Sequence, residues 1–155
     1  MTPQEIAALL SEQFEDRVLE SKTDEINPWS DVKSEAVLEV SQFLRSDSRL
    51  RMDHLELLGG VDYKENLEVV YVLFSMEHRH RYTIKCQLSK ESPSLPSVES
   101  VWRVANWHER EAYDMFGIEF EGHSDLSRIL CPDDWEGYPL RKDYVFPKSY
   151  RDMPV

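Results

Sequence analysis

The chain has 155 residues, and 41% of them are hydrophobic, which is enough for one folded domain with its own core. Thirty acidic residues against 18 basic ones give a formal net charge of −12, which argues against nucleic acid as the main partner. The two cysteines, Cys86 and Cys131, have no CxxC spacing, which indicates a reducing compartment and excludes a four-cysteine cluster held by this chain alone.

The first third of the chain alternates predicted helices with short extended segments. Thr2 as N-cap followed by Pro3 and Glu5 predicts a helix start, and an apolar stripe continues that helix to about Phe14. The segments at 17–22 and 26–29 are predicted to be extended, the second one away from the centre of a sheet because of its proline. A second helix is predicted over Lys33–Arg45.

The middle of the chain predicts sequential antiparallel strands. His54–Val61 is strand-like with an expected break at its two glycines, and Leu67–Met76 is so apolar that we expect a central strand covered on both faces. Arg79–Leu88 alternates between apolar and polar residues, with Cys86 on the apolar side as a small buried side chain. Ser89–Pro96 is predicted as a loop.

No segment indicates export or a membrane span. The first residues do not combine a basic region with an apolar core, and the longest apolar run, Val69–Phe74, is too short to cross a bilayer. We therefore expect a protein that faces the cytosol. Glycine-rich phosphate loops and nucleophile motifs are missing from the sequence, so no nucleotide or covalent-catalysis site is predicted.

The stretch Trp107–Leu130 is the most informative part of the chain. After a predicted helix over Val98–Ala105, it opens with a short helix that Gly117 closes. Trp107, Glu111 and Met115 share one helical stripe, and a second stripe combines a carboxylate with aromatic and apolar residues (Glu109, Ala112, Tyr113 and Phe116). A carboxylate on an apolar stripe requires a partner.

Three partners are consistent with this pattern. The first is a local network of Arg110 and nearby backbone amides, in which Arg110 can pair with Asp114 four residues later. The second is a metal, because His108, Glu111 and Asp114 follow at steps of three and His123 lies downstream. A carboxylate-bridged metal pair, however, normally draws its ligands from four helices of a bundle. The third is a buried contact in which another protein supplies the basic group.

The chain changes character after Leu130. Prolines at 132, 139, 147 and 154 prevent a long helix or an inner strand, yet aromatic residues remain frequent. Residues 139–155 carry four basic and two acidic residues, whereas residues 1–138 carry 14 basic and 28 acidic ones. We predict an α+β domain over 1–130, with a two-layer, mostly antiparallel sheet and helices on one face. An extended partner-binding tail over 131–155 follows it, and residues 138–155 are expected to order only against a partner.

Residues along this stretch and the tail resemble the signature of the 30-kilodalton subunit family of respiratory complex I, the C-type subunit of bacterial NADH:quinone oxidoreductase. The signature residues, which the resemblance implies lie at an interface, are Glu109, Arg110, Glu111, Asp114, Met115, Phe116, His123, Arg128, Arg141, Lys142, Asp143 and Tyr144. Two positions differ from the pattern, since Ser124 replaces a common proline and Ser127 a basic residue.

The resemblance implies a cofactor-free structural subunit in the peripheral arm of the proton-translocating enzyme, on the cytoplasmic side of the membrane. It implies docking to the 49-kilodalton-type (D-type) quinone-site subunit and to neighbouring iron–sulfur subunits, which hold the FMN, the clusters, the NADH site and the quinone site. The equivalent subunit of an energy-converting hydrogenase, or of a ferredoxin-dependent relative, is an alternative. A stand-alone carboxylate metalloenzyme is a distant third.

Overall fold

The computed structural model describes residues 1–151 and 153–154. The described part of the chain contains three α-helices and nine strands. In chain order these are α1 (Pro3–Phe14), β1 (Val18–Lys22), β2 (Trp29–Val32), α2 (Val37–Ser46), β3 (His54–Asp62), β4 (Asn66–Phe74), β5 (Arg81–Ser89), β6 (Ser94–Pro96), α3 (Ala105–Phe116), β7 (Glu119–Glu121), β8 (Ser149–Tyr150) and β9 (Met153–Pro154).

The helices form where the local sequence predicts them. Thr2 caps α1 through a reciprocal hydrogen-bond pair with Glu5, which satisfies free amides at the helix start. A 3-10 turn precedes α2, and the chain from that turn to Ser46 matches the predicted second helix within one residue at its end. Among the described residues no helix combines the length and the apolar character needed to cross a bilayer.

Five strands form the main sheet in the order β1-β2-β5-β4-β3. All neighbouring pairs are antiparallel except β2 and β5, which are parallel. Alternate side chains of β4 and β5 enter the core together with α1, α2 and α3, and none of these strand residues is more than 5% exposed: Leu67, Val69, Tyr71, Leu73, Tyr82, Ile84, Cys86 and Leu88. The predicted α+β class, with a mostly antiparallel sheet and helices on one face, is confirmed.

The prediction that β4 is covered on both faces is wrong. Val70 and Val72 point away from the helices and are only half-buried, and Leu57 and Tyr63 on the same open face of the sheet are exposed. The expected break at Gly59 is also not found, because β3 continues through both glycines and pairs with β4 along its length. The apolar run of β4 therefore indicated a central strand but not a second covering layer.

Three local predictions need correction. Val98–Ala105 is not a helix but a series of turns, in which the amides of Val101 and Trp102 both bond the carbonyl of Val98. The loop predicted over Ser89–Pro96 ends in β6, which pairs in parallel with β7. The second extended segment lies at Trp29–Val32 rather than at 26–29, so the strand begins just after the proline that would interrupt it.

The segment after residue 130 folds through turns and side-chain contacts. Trp135 packs on Tyr150 with ring centroids 5.2 Å apart. Asp134 accepts a hydrogen bond from the hydroxyl of Tyr150 and forms a salt bridge with Arg151. Tyr144 packs edge-on against the ring of Phe146. These contacts lie within the chain itself, and the prediction that residues 138–155 become ordered only against a partner stays a prediction; residues 152 and 155 of the predicted tail lie outside the described part.

Candidate functional site

Asp114 anchors the chain that follows α3. Its side chain is fully buried, and its Oδ2 atom accepts hydrogen bonds from the backbone amides of Ile129, Leu130 and Cys131 at 3.0, 2.7 and 2.8 Å. Its Oδ1 atom receives the guanidinium of Arg128 at 2.6 Å. Burial alone would raise the pKa of Asp114, but these amides and the guanidinium outweigh it and hold the pKa below its usual value.

Arg128 extends the same anchor toward the tail. Besides the carboxylate, its guanidinium donates to the carbonyl oxygens of Trp135 and Gly137 at 3.0 and 3.1 Å. One buried ion pair thus ties three separate parts of the chain together. Because most of the donors and acceptors around it are satisfied within the chain, this pair fixes the path of residues 128–137 rather than presenting a free reactive group.

Tyr138 is held between two arginines above the end of α3. The guanidinium carbons of Arg128 and Arg141 lie 5.6 and 5.0 Å from its ring centroid. Gly117, at φ +70°, ends α3 directly beneath the ring, where any side chain would overlap it. Arg141 also donates to the carbonyl oxygen of Phe116 at 2.6 Å, so the signature helix and the signature tail form one contact region.

The sheet supplies a second attachment for the tail. Asp62, at the end of β3, is buried, accepts a hydrogen bond from the amide of Lys142 at 2.7 Å and forms a salt bridge with the ammonium group of Lys90 at 2.5 Å. Burial would raise the pKa of Asp62, but Lys90 and the Lys142 amide lower it. The amide of Leu140 bonds the carbonyl of Met115 at 3.1 Å, which completes the docking of residues 138–142.

Glu109 is the second fully buried carboxylate of α3, and its surroundings differ from those of Asp114. It accepts hydrogen bonds from the hydroxyl of Ser97 at 2.6 Å and from the amide of Val98 at 2.8 Å. Among the described residues, no Arg or Lys side chain forms a salt bridge with it. Burial raises the pKa of Glu109 to about 7 despite those two hydrogen bonds. Glu109 therefore connects α3 to the turn after β6.

His123 closes this cluster from the side of β7. Its Nε2 atom lies 3.1 Å from the carbonyl oxygen of Asn106, and its Nδ1 atom accepts from the amide of Asp125 at 3.0 Å. This hydrogen-bond pattern assigns the neutral tautomer with the proton on Nε2. Nε2 is also 3.6 Å from Glu99 and 3.9 Å from Glu109. His123 is therefore placed to stabilise the turn between β7 and the signature tail.

The remaining signature residues are more exposed. Arg110 donates to the carbonyl oxygens of Ser127 and Arg128 at 3.1 and 3.0 Å, so the predicted pairing of Arg110 with Asp114 is wrong. Glu111 is exposed, and so is Trp107 on the same helical stripe. Met115 is buried and Phe116 half-buried, with the Phe116 ring against Gly60, while Asp143 is exposed and Tyr144 half-buried.

The structure does not bring the proposed metal ligands together. His108 bonds the carbonyl of Leu58, Glu111 faces solvent, and the oxygens of Asp114 are occupied by Arg128 and the tail amides. In the described part of the chain no three His, Cys, Asp or Glu side chains are grouped as metal ligands. His78 and His80, just before β5, also bond carbonyl oxygens, those of Ser48 and Leu50.

Several residues of this region were not predicted from the sequence. Ser97 bonds Glu109 of the signature helix, Asp62 bonds the tail through the amide of Lys142, and Lys90 pairs with Asp62. All three lie outside the signature, at a strand end or in a turn. At position 124 the departure from the family pattern was a signal in the sequence. The amide of Ser124 donates to Glu99 at 2.8 Å, a bond that the proline common at this position could not make. Ser127 contributes only its carbonyl oxygen to Arg110.

Comparison with known proteins identifies the family. Residues 30–150 match the family described as respiratory-chain NADH dehydrogenase, 30 Kd subunit. The chain belongs to this family. The matched residues include α3, both buried carboxylates and the tail through residue 150, so the resemblance seen in the sequence is confirmed.

Relatives that are C-type subunits of NADH-quinone oxidoreductase support the same assignment. The one from Chloroherpeton thalassium is 46% identical over 157 residues, which cover 99% of this chain and 65% of the relative. The one from Chlorobium phaeobacteroides is 43% identical over 151 residues, which cover 95% of this chain and 91% of the relative. The chain thus spans just under two thirds of the length of the first of these relatives and most of the second.

Two solved structures share the fold. A trypsin-resistant fragment of Nqo5 matches 78% of this chain and 98% of its own length, with a TM-score of 0.64 and 28% sequence identity. A chain from the archaeal membrane-bound sulfane sulfur reductase matches 92% of this chain and 85% of its own length, with a TM-score of 0.73. Sequence identity to that archaeal chain is 22%, so this second match shows the fold alone.

Proposed function

We propose that this chain is a structural subunit of a proton-translocating NADH:quinone oxidoreductase. The observation that carries the proposal is the match of residues 30–150 to the 30 Kd subunit family, which the C-type relatives support at 43–52% identity. On this proposal the chain lies in the peripheral arm, on the cytoplasmic side of the membrane. It contributes to electron transfer from NADH to quinone by holding other subunits in place.

The geometry supports a role in assembly. The signature residues fix the path of the tail instead of lining a cleft, and the docked tail leaves apolar side chains facing solvent. Leu130, Leu140, Val145 and Phe146 are 63%, 54%, 85% and 61% exposed. Exposed apolar groups on a fixed backbone are suited to a protein interface, because little conformational entropy is lost when a partner binds. We assign this surface to the 49-kilodalton-type subunit and its iron–sulfur neighbours.

We further propose that the chain binds no flavin, nucleotide, metal or iron–sulfur cluster of its own. Elemental analysis and an absorption spectrum of the purified chain test this point. One tightly bound iron, zinc or manganese ion per chain, lost when Asp114 or His123 is replaced, would contradict it and favour an enzyme.

Affinity purification from native membranes tests the proposed function as a whole. The tagged chain is expected to co-purify with the subunits that carry NADH:quinone oxidoreductase activity, and the tail deletion of residues 131–155 is expected to lose them. Activity with reduced ferredoxin but not with NADH would assign the chain to a ferredoxin-dependent relative. Co-purification with hydrogenase subunits would assign it to the other alternative.

A further inference from the structure

The open face of the main sheet, which is turned away from the helices, carries an apolar strip. On β5 the side chains of this face are polar, namely Arg81, Thr83, Lys85 and Gln87. On β4 the same face carries Val70 and Val72, both half-buried, and on β3 it carries Leu57, which is 46% exposed. A sheet face in contact with water normally alternates to polar residues, as β5 does. The strip on β3 and β4 therefore indicates that another layer covers it.

A cleft of about 610 Å³ lies over this strip, and we call it the open-face cleft. Its lining includes the three apolar residues of the strip, Val61 and Tyr63 of β3 and the turn that follows it, and Trp29 of β2. The docked tail reaches the same end of β3, because Lys142 bonds Asp62, the residue before Tyr63. A subunit that contacts the tail is therefore close to the cleft.

Two adjacent glycines of β3 differ in what explains them. Gly60 faces the helices, where an added Cβ would lie 2.6 Å from the ring of Phe116, so the packing of α3 requires a glycine. Gly59 pairs with Val70 on the open face, its φ is not positive, and an added Cβ would meet only Leu57 among the described residues, at 3.8 Å. Glycine weakens the interior of a strand and often marks the close approach of another backbone or a ligand. A close approach from outside the chain accounts for Gly59.

The open face carries a surplus of negative charge. Five carboxylates and three cations line the cleft or share this side of the strands: Glu20, Glu25, Asp31, Glu56 and Glu68 against Lys22, Arg81 and Lys85. Each cation is paired with one carboxylate, at 2.6, 3.8 or 3.9 Å. Glu25 and Asp31 are left without a salt bridge in the part of the chain that the structure describes. The net charge of this face is therefore −2 after all pairs are counted.

Asp31 is the less compensated of these two carboxylates. It is 5% exposed, and its Oδ2 atom accepts a hydrogen bond from the side-chain amide of Gln87 at 2.9 Å. Its Oδ1 atom is buried and has no hydrogen-bond partner among the described residues. Burial raises the pKa of Asp31, and the neighbouring carboxylates of Glu68 and Glu20 raise it further. A cation placed beside this part of the sheet would favour the ionised form.

We propose that the open-face cleft binds a basic segment of a neighbouring protein subunit, an inference that rests on the proposed function. An apolar side chain of that segment lies over Gly59 and the valines of β4, and a Lys or Arg lies beside Glu25 and Asp31. An anionic membrane surface would be repelled by the surplus carboxylates. A second copy of this chain, paired by twofold symmetry, would bring the same negative face against itself.

A photo-cross-linker in the cleft identifies the occupant. The full chain carries p-benzoylphenylalanine in place of Tyr63, which is 43% exposed, and the complex is purified from native membranes. The expected product is a peptide of another subunit in which Lys and Arg outnumber Asp and Glu. A cross-link to lipid, to a second copy of this chain or to an acidic segment, or no cross-link in the intact complex, would overturn the proposal.

Filling the space above Gly59 tests the close approach. Gly59→Leu is expected to lower the yield of the position-63 cross-link at least tenfold, while the unfolding midpoint of the isolated chain is unchanged or raised. Ala8→Leu is the control, since it adds an apolar side chain at an exposed position of α1, in the helix layer on the other side of the sheet. Equal yields from the two variants would contradict the proposal.

Charge reversal tests the preference for a basic segment. Glu20→Lys and Glu25→Lys, combined in one chain, are expected to lower the cross-link yield at least tenfold. Glu12→Lys and Glu35→Lys, also combined, change the net charge by the same amount at exposed positions of the helix layer. This control is expected to keep the yield of the parent chain. A yield that falls equally in both double variants would show that the cleft does not select a basic occupant.

The same preparations separate the two levels of inference. If the tagged chain is recovered without any oxidoreductase subunit, the proposed function is wrong and this inference is wrong with it. If the complex is recovered but position 63 gives none of the expected product, only the assignment of the cleft is wrong. Unfolding midpoints of the purified variants identify any loss of yield that is caused by misfolding. The charge variants decide the question alone if Gly59→Leu lowers the midpoint.

Discussion

Glu109 and Asp114 lie five residues apart on the same helix, and both side chains are fully buried, yet their protonation is shifted in opposite directions. The pKa of Asp114 is lowered, whereas that of Glu109 is raised to about 7. The difference is in the donors. Asp114 receives three backbone amides and a guanidinium, whereas Glu109 receives one hydroxyl and one amide.

This comparison shows how the two ends of α3 differ in function. Around Asp114 the chain supplies enough charge and hydrogen bonding to keep the carboxylate ionised, so the tail is fixed at every pH near neutrality. Around Glu109 the burial cost is only partly compensated, so the carboxyl group gains or loses a proton in the range where cells operate. The first end is a fixed anchor, and the second is a contact whose strength depends on pH.

The largest effect is expected when the anchor is removed. Asp114→Ala leaves Arg128 and three amides without their acceptor, and loss of one partner of a buried ion pair costs about 3–5 kcal/mol. Urea unfolding of the purified chain measures the loss. Asp143→Ala, at an exposed tail position, is the control and is expected to be nearly neutral. Equal stabilities of the two variants would show that the anchor does not hold the fold.

The second prediction concerns pH and the opposite end of the helix. Because the folded chain binds the Glu109 proton more tightly than the unfolded chain does, this group favours folding at low pH. That contribution is lost as the pH rises from about 4.5 to about 7, and it corresponds to roughly 3 kcal/mol at most. Glu109→Gln removes the titrating group and keeps the shape of the side chain. The free energy of unfolding of the variant minus that of the parent chain is therefore expected to be larger at pH 8 than at pH 5.

The control for this prediction is Glu119→Gln, which removes a charge at an exposed position of β7. The measurement is the free energy of unfolding at pH 5 and pH 8 for the parent chain and both variants. A Glu109→Gln variant with the same pH dependence as the parent would contradict the assignment. For Asp114 the sign is reversed, since its contribution is present at neutral pH and is lost as the pH falls below its ordinary pKa.

The third prediction tests the contact between the helix end and the tail. Gly117→Ala places a methyl group at φ +70° and against the ring of Tyr138, so both backbone strain and the tail contact are affected. Gly122→Ala is the matched control, because Gly122 has φ +82° but no atom within 4 Å of the added methyl. Strain alone costs about 1–2 kcal/mol. The excess loss at Gly117 measures the contact, and equal losses would show that Tyr138 contributes nothing.

The sequence predicted those features that depend on neighbouring residues. The Thr2 cap, the alternation of β5 and the glycine end of α3 are local signals, and the structure confirms each one. Asp114 was expected to pair with Arg110 on the helix surface, but its partners came from residues 128–131. Such long-range partners have no periodic signature in the sequence.

The sequence also could not show whether Glu109 or Glu111 lies on the buried face of α3. Each residue shares a helical stripe with aromatic or apolar side chains, so periodicity could not say which stripe faces the sheet. The answer came from Trp107, which is 61% exposed and leaves Glu111 at the surface. The contacts within the tail region were also not predictable, because prolines exclude a strand ladder but not the side-chain and turn contacts that Asp62, Asp134 and Arg128 provide.

The smallest effect on the isolated chain is expected at Glu111, and it sharpens the comparison with its two buried neighbours. Glu111 is exposed, so Glu111→Ala should change the free energy of unfolding by no more than about 0.5 kcal/mol. If the residue contacts a partner subunit, the same variant lowers the amount of assembled complex recovered from membranes. Loss of assembly without loss of stability would separate docking from folding on a single helix. A destabilised isolated chain would instead show that Glu111 has a partner within this chain, and normal assembly would remove it from the proposed interface.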